Sequence, residues 1–334
     1  MSNDTNQHHH SSSKSPSEAR TRTSRSPAHE SDDTSTASPL PDGGTHSAPR
    51  STDSAADDHS SRSPTADDSG VHSSQLVGDT LAIGYPTTEE PVVEVDRIDL
   101  PAGEITALVG PNGSGKSTLL KALARQHAPE HGTVLLDGDD IDDFDSKPFA
   151  RRVGMLSQEH ESPGGMTAEE LIYYGRYPHM GFFDAPTESD EAAVERAIDL
   201  AGVDHLREEE VGNLSGGQKQ LVWIAMVLAQ ETDVLLLDEP TTYLDLQHQL
   251  QVMELVQTLN EERGVTVGIV LHDISQAARY ADNLVALKDG SVFDWGPPDE
   301  VVTDDLLETV FGVVATVGYG ENGPTIMPHH PVEQ

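Results

Sequence analysis

The chain has 334 residues, with 20 Lys and Arg against 58 Asp and Glu, a net charge of −38 and no cysteine. The missing thiols exclude disulfides, thiolate metal sites and a cysteine nucleophile, and the acidity argues against nucleic acid as a partner, because a nucleic-acid-binding core is expected to be basic. No apolar run approaches the ~20 residues needed to cross a bilayer, and the polar N-terminus lacks the apolar core of a signal peptide, so any membrane role is expected to be peripheral.

Residues 1–75 contain no Phe, Trp, Tyr or Ile. Such a stretch buries too little apolar surface to offset its ordering entropy and reads as a disordered acidic tail rich in Ser, Thr and Pro. It carries 6 basic and 11 acidic residues, leaving the core with 14 and 47. Acidity this diffuse is expected of a protein working in concentrated salt, which screens self-repulsion over about 3 Å at 1 M. His8–His10 and His329-His330 read as polar filler.

From Gln75 onward the pattern is that of one large α/β domain. Alternation over Gln75–Tyr85 and Val92–Leu100 predicts two strands joined by a turn at Pro86–Pro91. Ile105–Val109 is a short apolar strand, followed by a Gly-rich loop and a helical pattern over Ser117–Gln126. Thr133–Leu136 and Val153–Leu156 are further strands. Thr167–Val211 is mainly helical, including an i, i+3/i+4 stripe over Asp190–Ala201, and suggests an inserted helical lobe at about 160–215. Gln218–Ala229 is an apolar helix, Val234–Leu237 a strand buried on both faces, Gln247–Glu262 a helix and Val265–Leu271 a strand. Leu284–Leu287 and Val292–Trp295 form a hairpin around the turn signal Asp289-Gly290. Two short helical stretches precede a Gly- and Pro-rich end. Strands alternating with helices imply a mostly parallel sheet.

The segment Gly110-Pro111-Asn112-Gly113-Ser114-Gly115-Lys116-Ser117 fits G-x-x-x-x-G-K-[ST], here between a strand and a helix. Its glycines let backbone N–H groups converge on phosphate oxygens, and the positive end of the following helix points at the same place. Lys116 can reach β- and γ-phosphates and the Ser117 hydroxyl can bind Mg²⁺; Thr118 completes the loop. Val234–Leu237 ends in Asp238-Glu239. Such a strand would lie beside the phosphate loop in a parallel sheet, where ligands gather at C-terminal strand ends. Asp238 is then placed to hold Mg²⁺, directly or through water, and Glu239 to polarise an attacking water.

Leu214-Ser215-Gly216-Gly217-Gln218, 97 positions after Ser117, combines an N-capping serine with glycine amides that form a second phosphate site. With the phosphate loop and Asp238-Glu239, this resembles the ATP-binding cassette (ABC) family over about Leu76–Val313. The resemblance implies the P-loop ABC ATPase fold, with a mostly parallel core sheet, an N-terminal antiparallel β subdomain and an inserted helical subdomain; residues 314–334 would be an extension. It implies ATP hydrolysis with Mg²⁺ and a head-to-tail pair of ATPase subunits, in which Ser215–Gln218 face the other copy's ATP. Two identical copies are favoured. Gln158 matches the glutamine that senses Mg²⁺, His272 the switch histidine at the γ-phosphate, Asp245 the loop coupling the two ATP sites, and Tyr85 the aromatic that stacks on adenine. Leu221 departs from the pattern, since many cassettes have Arg there.

Tyr174–His179, Thr241–Gln249 and Leu271–Asp282 resemble ATPases of iron–siderophore importers, with cobalamin and haem importers sharing much of the pattern. The implied partners are separate permease subunits and, through them, an extracytoplasmic solute-binding protein, with the chain at the cytoplasmic face of the membrane. A soluble cassette ATPase is the rival class. It usually carries two cassettes, a long coiled coil or basic arms, none of which this sequence shows. A non-hydrolysing module would be expected to lack Glu239 or His272.

Overall fold

The computed structural model describes residues 73–333 except 89, 159–163, 182–183 and 321–322. The expected disordered tail therefore lies outside the described residues, apart from its last three. Those three correct the boundary at 75. Ser74 is buried, its carbonyl accepts from Thr266 Oγ1 at 2.8 Å and its hydroxyl accepts from Arg152 at 2.7 Å. These bonds satisfy backbone and side-chain polar groups that would otherwise be lost from water, so the lead-in to the first strand belongs to the folded core.

In chain order the elements are β1 (Leu76–Ile83), β2 (Val93–Leu100), β3 (Ile105–Val109), α1 (Lys116–Leu123), β4 (His131–Leu136), β5 (Asp139–Asp140), α2 (Ser146–Arg152), β6 (Val153–Leu156), α3 (Ala168–Tyr174), α4 (Glu188–Ala201), α5 (Gly216–Ala229), β7 (Val234–Asp238), α6 (Leu246–Arg263), β8 (Thr266–Val270), α7 (Ile274–Tyr280), β9 (Asn283–Lys288), β10 (Ser291–Gly296), α8 (Pro298–Val301), α9 (Asp304–Thr309), β11 (Val313–Gly320) and β12 (Gly323–Pro331). Short 3-10 turns fill some of the connections.

The main sheet has the order β10-β9-β3-β8-β7-β6. It is parallel except for β10, which pairs antiparallel with β9. Its central strands β3, β7 and β8 are buried on every residue, as a sheet covered on both faces requires. Alternate side chains feed two cores: Leu235 and Leu237 point to the helical side, while Val234 and Leu236 point to the side holding α1 and the second sheet. That second sheet, β2-β1-β4-β5, is antiparallel. The β9–β10 turn forms at Asp289 (φ 48°) and Gly290 (φ 82°), the left-handed pair a tight hairpin turn needs.

The end of β7 lies beside the phosphate loop, as expected, although the strands themselves are not adjacent: β8 lies between β7 and the phosphate-loop strand β3. The loop and Asp238 still meet because α1 crosses over the sheet and carries Ser117 to the end of β7.

The C-terminal extension is itself structured. Residues 314–334, expected to extend beyond the cassette, contain most of the β11–β12 hairpin, and its Val317 and Ile326 pack against the main core. A Cβ on Gly323 would come within 3.1 Å of the Ala278 carbonyl of α7, so the hairpin sits close on the cassette.

Candidate functional site

The phosphate loop leaves β3 at Gly110, whose φ is 144°. A Cβ there would come within 2.2 Å of the Leu287 carbonyl oxygen, a backbone atom that cannot move aside. Gly110→Ala should therefore strain the loop by at least about 1–3 kcal/mol. The expected result is a lower melting temperature and weakened binding of a fluorescent ATP analogue. A variant melting and binding as the parent does would refute this account of the loop.

Gly113 (φ 81°) and Gly115 (φ 97°) hold the other left-handed turns, and nothing lies within 4 Å of the direction a Gly113 Cβ would take. The loop is open on the side where phosphate would enter. Lys116 is buried, and its Nζ donates to the carbonyls of Gly110 and Pro111, both at 2.9 Å. The ammonium thus closes the loop into a ring and sits beneath its mouth. Burial lowers its pKa, while the nearby Glu239 and Asp238 charges oppose that shift.

Ser117, on the first turn of α1, donates its hydroxyl to Asp238 Oδ1 at 2.7 Å. Asp238 Oδ2 is buried without a partner; among the described residues only Thr106 Oγ1 and Ser114 Oγ share that condition. Burial raises the Asp238 pKa, and the bond from Ser117 lowers it. A buried carboxylate oxygen with no donor, next to a hydroxyl and an open anion cradle, suits a hard divalent cation with oxygen ligands. The residues present therefore fit Mg²⁺.

Glu239 is the hub of the site. Its Oε2 accepts from Gln158 Nε2 at 2.7 Å and from the Thr242 hydroxyl at 3.2 Å, and lies 2.6 Å from His272 Nε2. Each partner arrives on a different element: Gln158 after β6, His272 after β8 and Thr242 on the loop after β7. Glu239 itself has φ 52°, an uncommon conformation for a non-glycine residue that clusters at functional sites. These residues and the phosphate loop line a cleft of about 440 Å³, together with Val92 and Tyr243.

The other expected residues lie elsewhere. Tyr85 is not among the residues lining the cleft. Its hydroxyl is 3.0 Å from Thr118 Oγ1 and its ring is tilted against His127 at 4.7 Å. Ser215 caps α5 in a reciprocal box with Gln218, and neither residue is among those lining the cleft. Asp245 caps α6. Sequence reasoning missed Thr242, although it stood inside the quoted Thr241–Gln249 segment, because a hydroxyl three residues after a carboxylate is a common turn pattern.

Residues 94–242 match the family described as ABC transporter. The chain is 48% identical over 239 residues to the ferric enterobactin transport ATP-binding protein FepC of Escherichia coli (strain K12), covering 72% of this chain and 88% of that protein. It is 43% identical over 242 residues to the iron(3+)-hydroxamate import ATP-binding protein FhuC of Bacillus subtilis (strain 168), covering 72% and 89%. The dimeric structure of MJ0796, a bacterial ABC transporter cassette, superposes with a TM-score of 0.60 at 28% identity, covering 67% of this chain and 98% of that one. With nearly nine-tenths of two transport ATPases matched at 48% and 43% identity, this chain belongs to the ABC transporter ATP-binding proteins, a family of ATP-hydrolysing subunits.

Proposed function

We propose that this chain powers uptake of a ferric siderophore through separate permease subunits. The observation that carries its motor role is the Glu239 carboxylate, held at the mouth of the phosphate loop by Gln158, His272 and Thr242. In this reading the amides of the loop Gly110–Thr118 bind the phosphates of ATP, and Lys116 balances their charge. Glu239 orients a water in line with the γ-phosphate. The water oxygen bonds to phosphorus as the bond to the ADP oxygen breaks, and the water gives up a proton on the Glu239 side. Ser117 and Asp238 would hold Mg²⁺, with Gln158 beside it; the ion would spread phosphate charge. His272 would report the γ-phosphate to Glu239, and Tyr85 would have to swing from Thr118 to stack on adenine.

The amides of Gly216 and Gly217, with Ser215 and Gln218, would bind the ATP of a second, identical subunit, and Asp245 would link the two sites. A permease would dock on the helical lobe, where Met166, Tyr173, Tyr174, Tyr177, Met180 and Pro186 line an apolar groove of about 670 Å³. Tyr174 and Tyr177 are each 60% exposed, an uncovered aromatic surface of the kind that marks a partner site. No described helix is long and apolar enough to cross a membrane, which suits a peripheral subunit on the cytoplasmic face. The choice of solute is supported by the chelate names of FepC and FhuC, and a solute-binding protein would deliver that chelate to the permease.

Uptake of labelled ferric siderophore, and separately of cobalamin, in cells whose only copy carries Glu239→Gln tests the reading. Iron uptake should fall and cobalamin uptake should not. Loss of cobalamin uptake alone would move the chain to that branch, and no change in either would remove the importer reading.

The charge of −38 supports a working environment of concentrated salt. The melting temperature should climb as KCl rises from 0.1 M to 3 M, because self-repulsion is screened over a Debye length that shrinks from about 10 Å to below 3 Å. Full folding and activity in dilute buffer would reject this.

A further inference from the structure

We propose that His248 is a positioning residue that locks the Asp245 loop to the glycines of the signature helix within one subunit, so that both surfaces offered to the partner's ATP move as one piece. The inference rests on the dimer reading above.

His248 lies in the first turn of α6. Asp245 Oδ1 accepts the backbone N–H of His248 at 3.0 Å, the ordinary helix cap, and also meets His248 Nδ1 at 2.7 Å. These bonds hold the Asp245 carboxyl below its usual pKa range, the backbone bond contributing most. An ionised carboxylate can only accept, so Nδ1 carries the proton. Any residue at 248 would supply the backbone bond. The imidazole adds the second one, and that second bond fixes the ring.

The fixed ring lies against the other helix. A Cβ on Gly217 would be 3.0 Å from His248 Cγ and Cδ2 and 3.2 Å from Nδ1. Gly217 is the second residue of α5, whose first-turn amides would form the anion site of the dimer reading. One side chain therefore bridges the caps of α5 and α6. Glycine at 217 admits the ring, and a methyl group there would push it away from Asp245. Tyr243 and Leu246, on either side of Asp245, are 95% and 71% exposed. Large apolar side chains left uncovered beside a polar contact fit a surface that association covers.

Two substitutions separate positioning from filling. His248→Leu keeps bulk against Gly217 without a donor. His248→Asn puts an amide N–H near the place of Nδ1. Each is combined with Glu239→Gln, and the ATP-dependent dimer dissociation constant is measured by sedimentation equilibrium. Binding of a fluorescent ATP analogue to the dilute monomer is the second readout. The expected result is a dissociation constant raised about tenfold for Leu, the effect on association of losing one polar bond, about 1.4 kcal/mol, that holds the partner-facing surface in place. Asn should stay within about threefold of the parent, and monomer nucleotide affinity should be unchanged throughout, because the histidine acts on the partner's site rather than its own. Leu matching the parent would overturn the inference, as would Leu and Asn failing equally with lowered melting temperatures, the pattern of simple packing. A Glu239→Gln parent that stays monomeric at saturating ATP would overturn the dimer reading itself, so the two failures are told apart by the parent.

Discussion

Replacing Glu239 with Gln should lower ATP turnover by about 10²–10⁴-fold, the range expected when a positioned acid–base group is lost, while ATP still binds. Gln has nearly the shape of Glu and keeps an oxygen that can accept from Gln158, Thr242 and His272, the three groups converging on Oε2. The backbone at 239 has φ 52°, and Gln and Glu tolerate that conformation about equally. The scaffold is therefore preserved and the charge alone is removed. What is lost is the carboxylate that draws a proton from the attacking water, together with an anion about which three donors are organised. ATP enclosed between two subunits should then persist, and sedimentation at saturating ATP should show a dimer. Single-turnover hydrolysis of labelled ATP provides the rate. Turnover within tenfold of the parent would remove Glu239 from the reaction, and a monomer at saturating ATP would remove the enclosed dimer.

The parts of this site that could be read from the sequence are those built from contiguous residues. The phosphate loop, Asp238-Glu239 after an apolar run and the Ser215 cap each announce their chemistry within eight positions. Strand β7 was legible because burial on both faces leaves an unbroken apolar run over Val234–Leu237, and the expected Val153–Leu156 is the strand found. The β9–β10 turn was legible in Asp289-Gly290, because the left-handed backbone there demands such residues.

What was not legible depends on distance in the chain. The order of strands placed β8 between β3 and β7, and no local pattern carries that. The β11–β12 hairpin was hidden by its own prolines: Pro324, Pro328 and Pro331 read as breakers, yet β12 pairs on one side only, and an edge strand tolerates residues with no donor. α2 was missed for a related reason. Its Pro148 lies in the first turn, where the missing N–H would have had no helical partner. His248 stood in a segment used only to choose a branch, and its contact with Gly217 spans 31 positions.

Arg176 stood in the quoted Tyr174–His179 segment in the same way, and its removal should cost the helical lobe about 3–5 kcal/mol, the penalty for stranding a buried charge. The side chain is 4% exposed. Its Nε donates to Asp190 Oδ1 at 2.9 Å, and Nη1 donates to the Ala229 carbonyl at 2.7 Å and Glu231 Oε2 at 3.1 Å. Asp190 in turn accepts from the Thr187 amide and hydroxyl at 2.9 and 2.7 Å. One guanidinium thus joins the start of α4 to the end of α5, whose last carbonyls have no helical donor. Since Ser215 caps the other end of α5, the helix that presents the signature glycines is held at both termini. Arg176→Ala would leave Asp190 buried with its ion partner gone, and Arg176→Lys would offer a point charge where a fork spans two elements. Urea unfolding of full-length Arg176→Ala should show the lowered midpoint, and a midpoint equal to the parent's would refute the assignment. The Thr187 bonds first, and then Arg176, hold the Asp190 carboxyl at about 2. A folded pKa below the unfolded value of about 3.9 means the contribution is complete above pH 4 and disappears as pH falls from 4 through 2. Parent and Arg176→Ala should therefore differ most above pH 4 and converge toward pH 2. A gap that stays constant across that window would show that Arg176 acts through the Ala229 carbonyl and packing rather than through its charge.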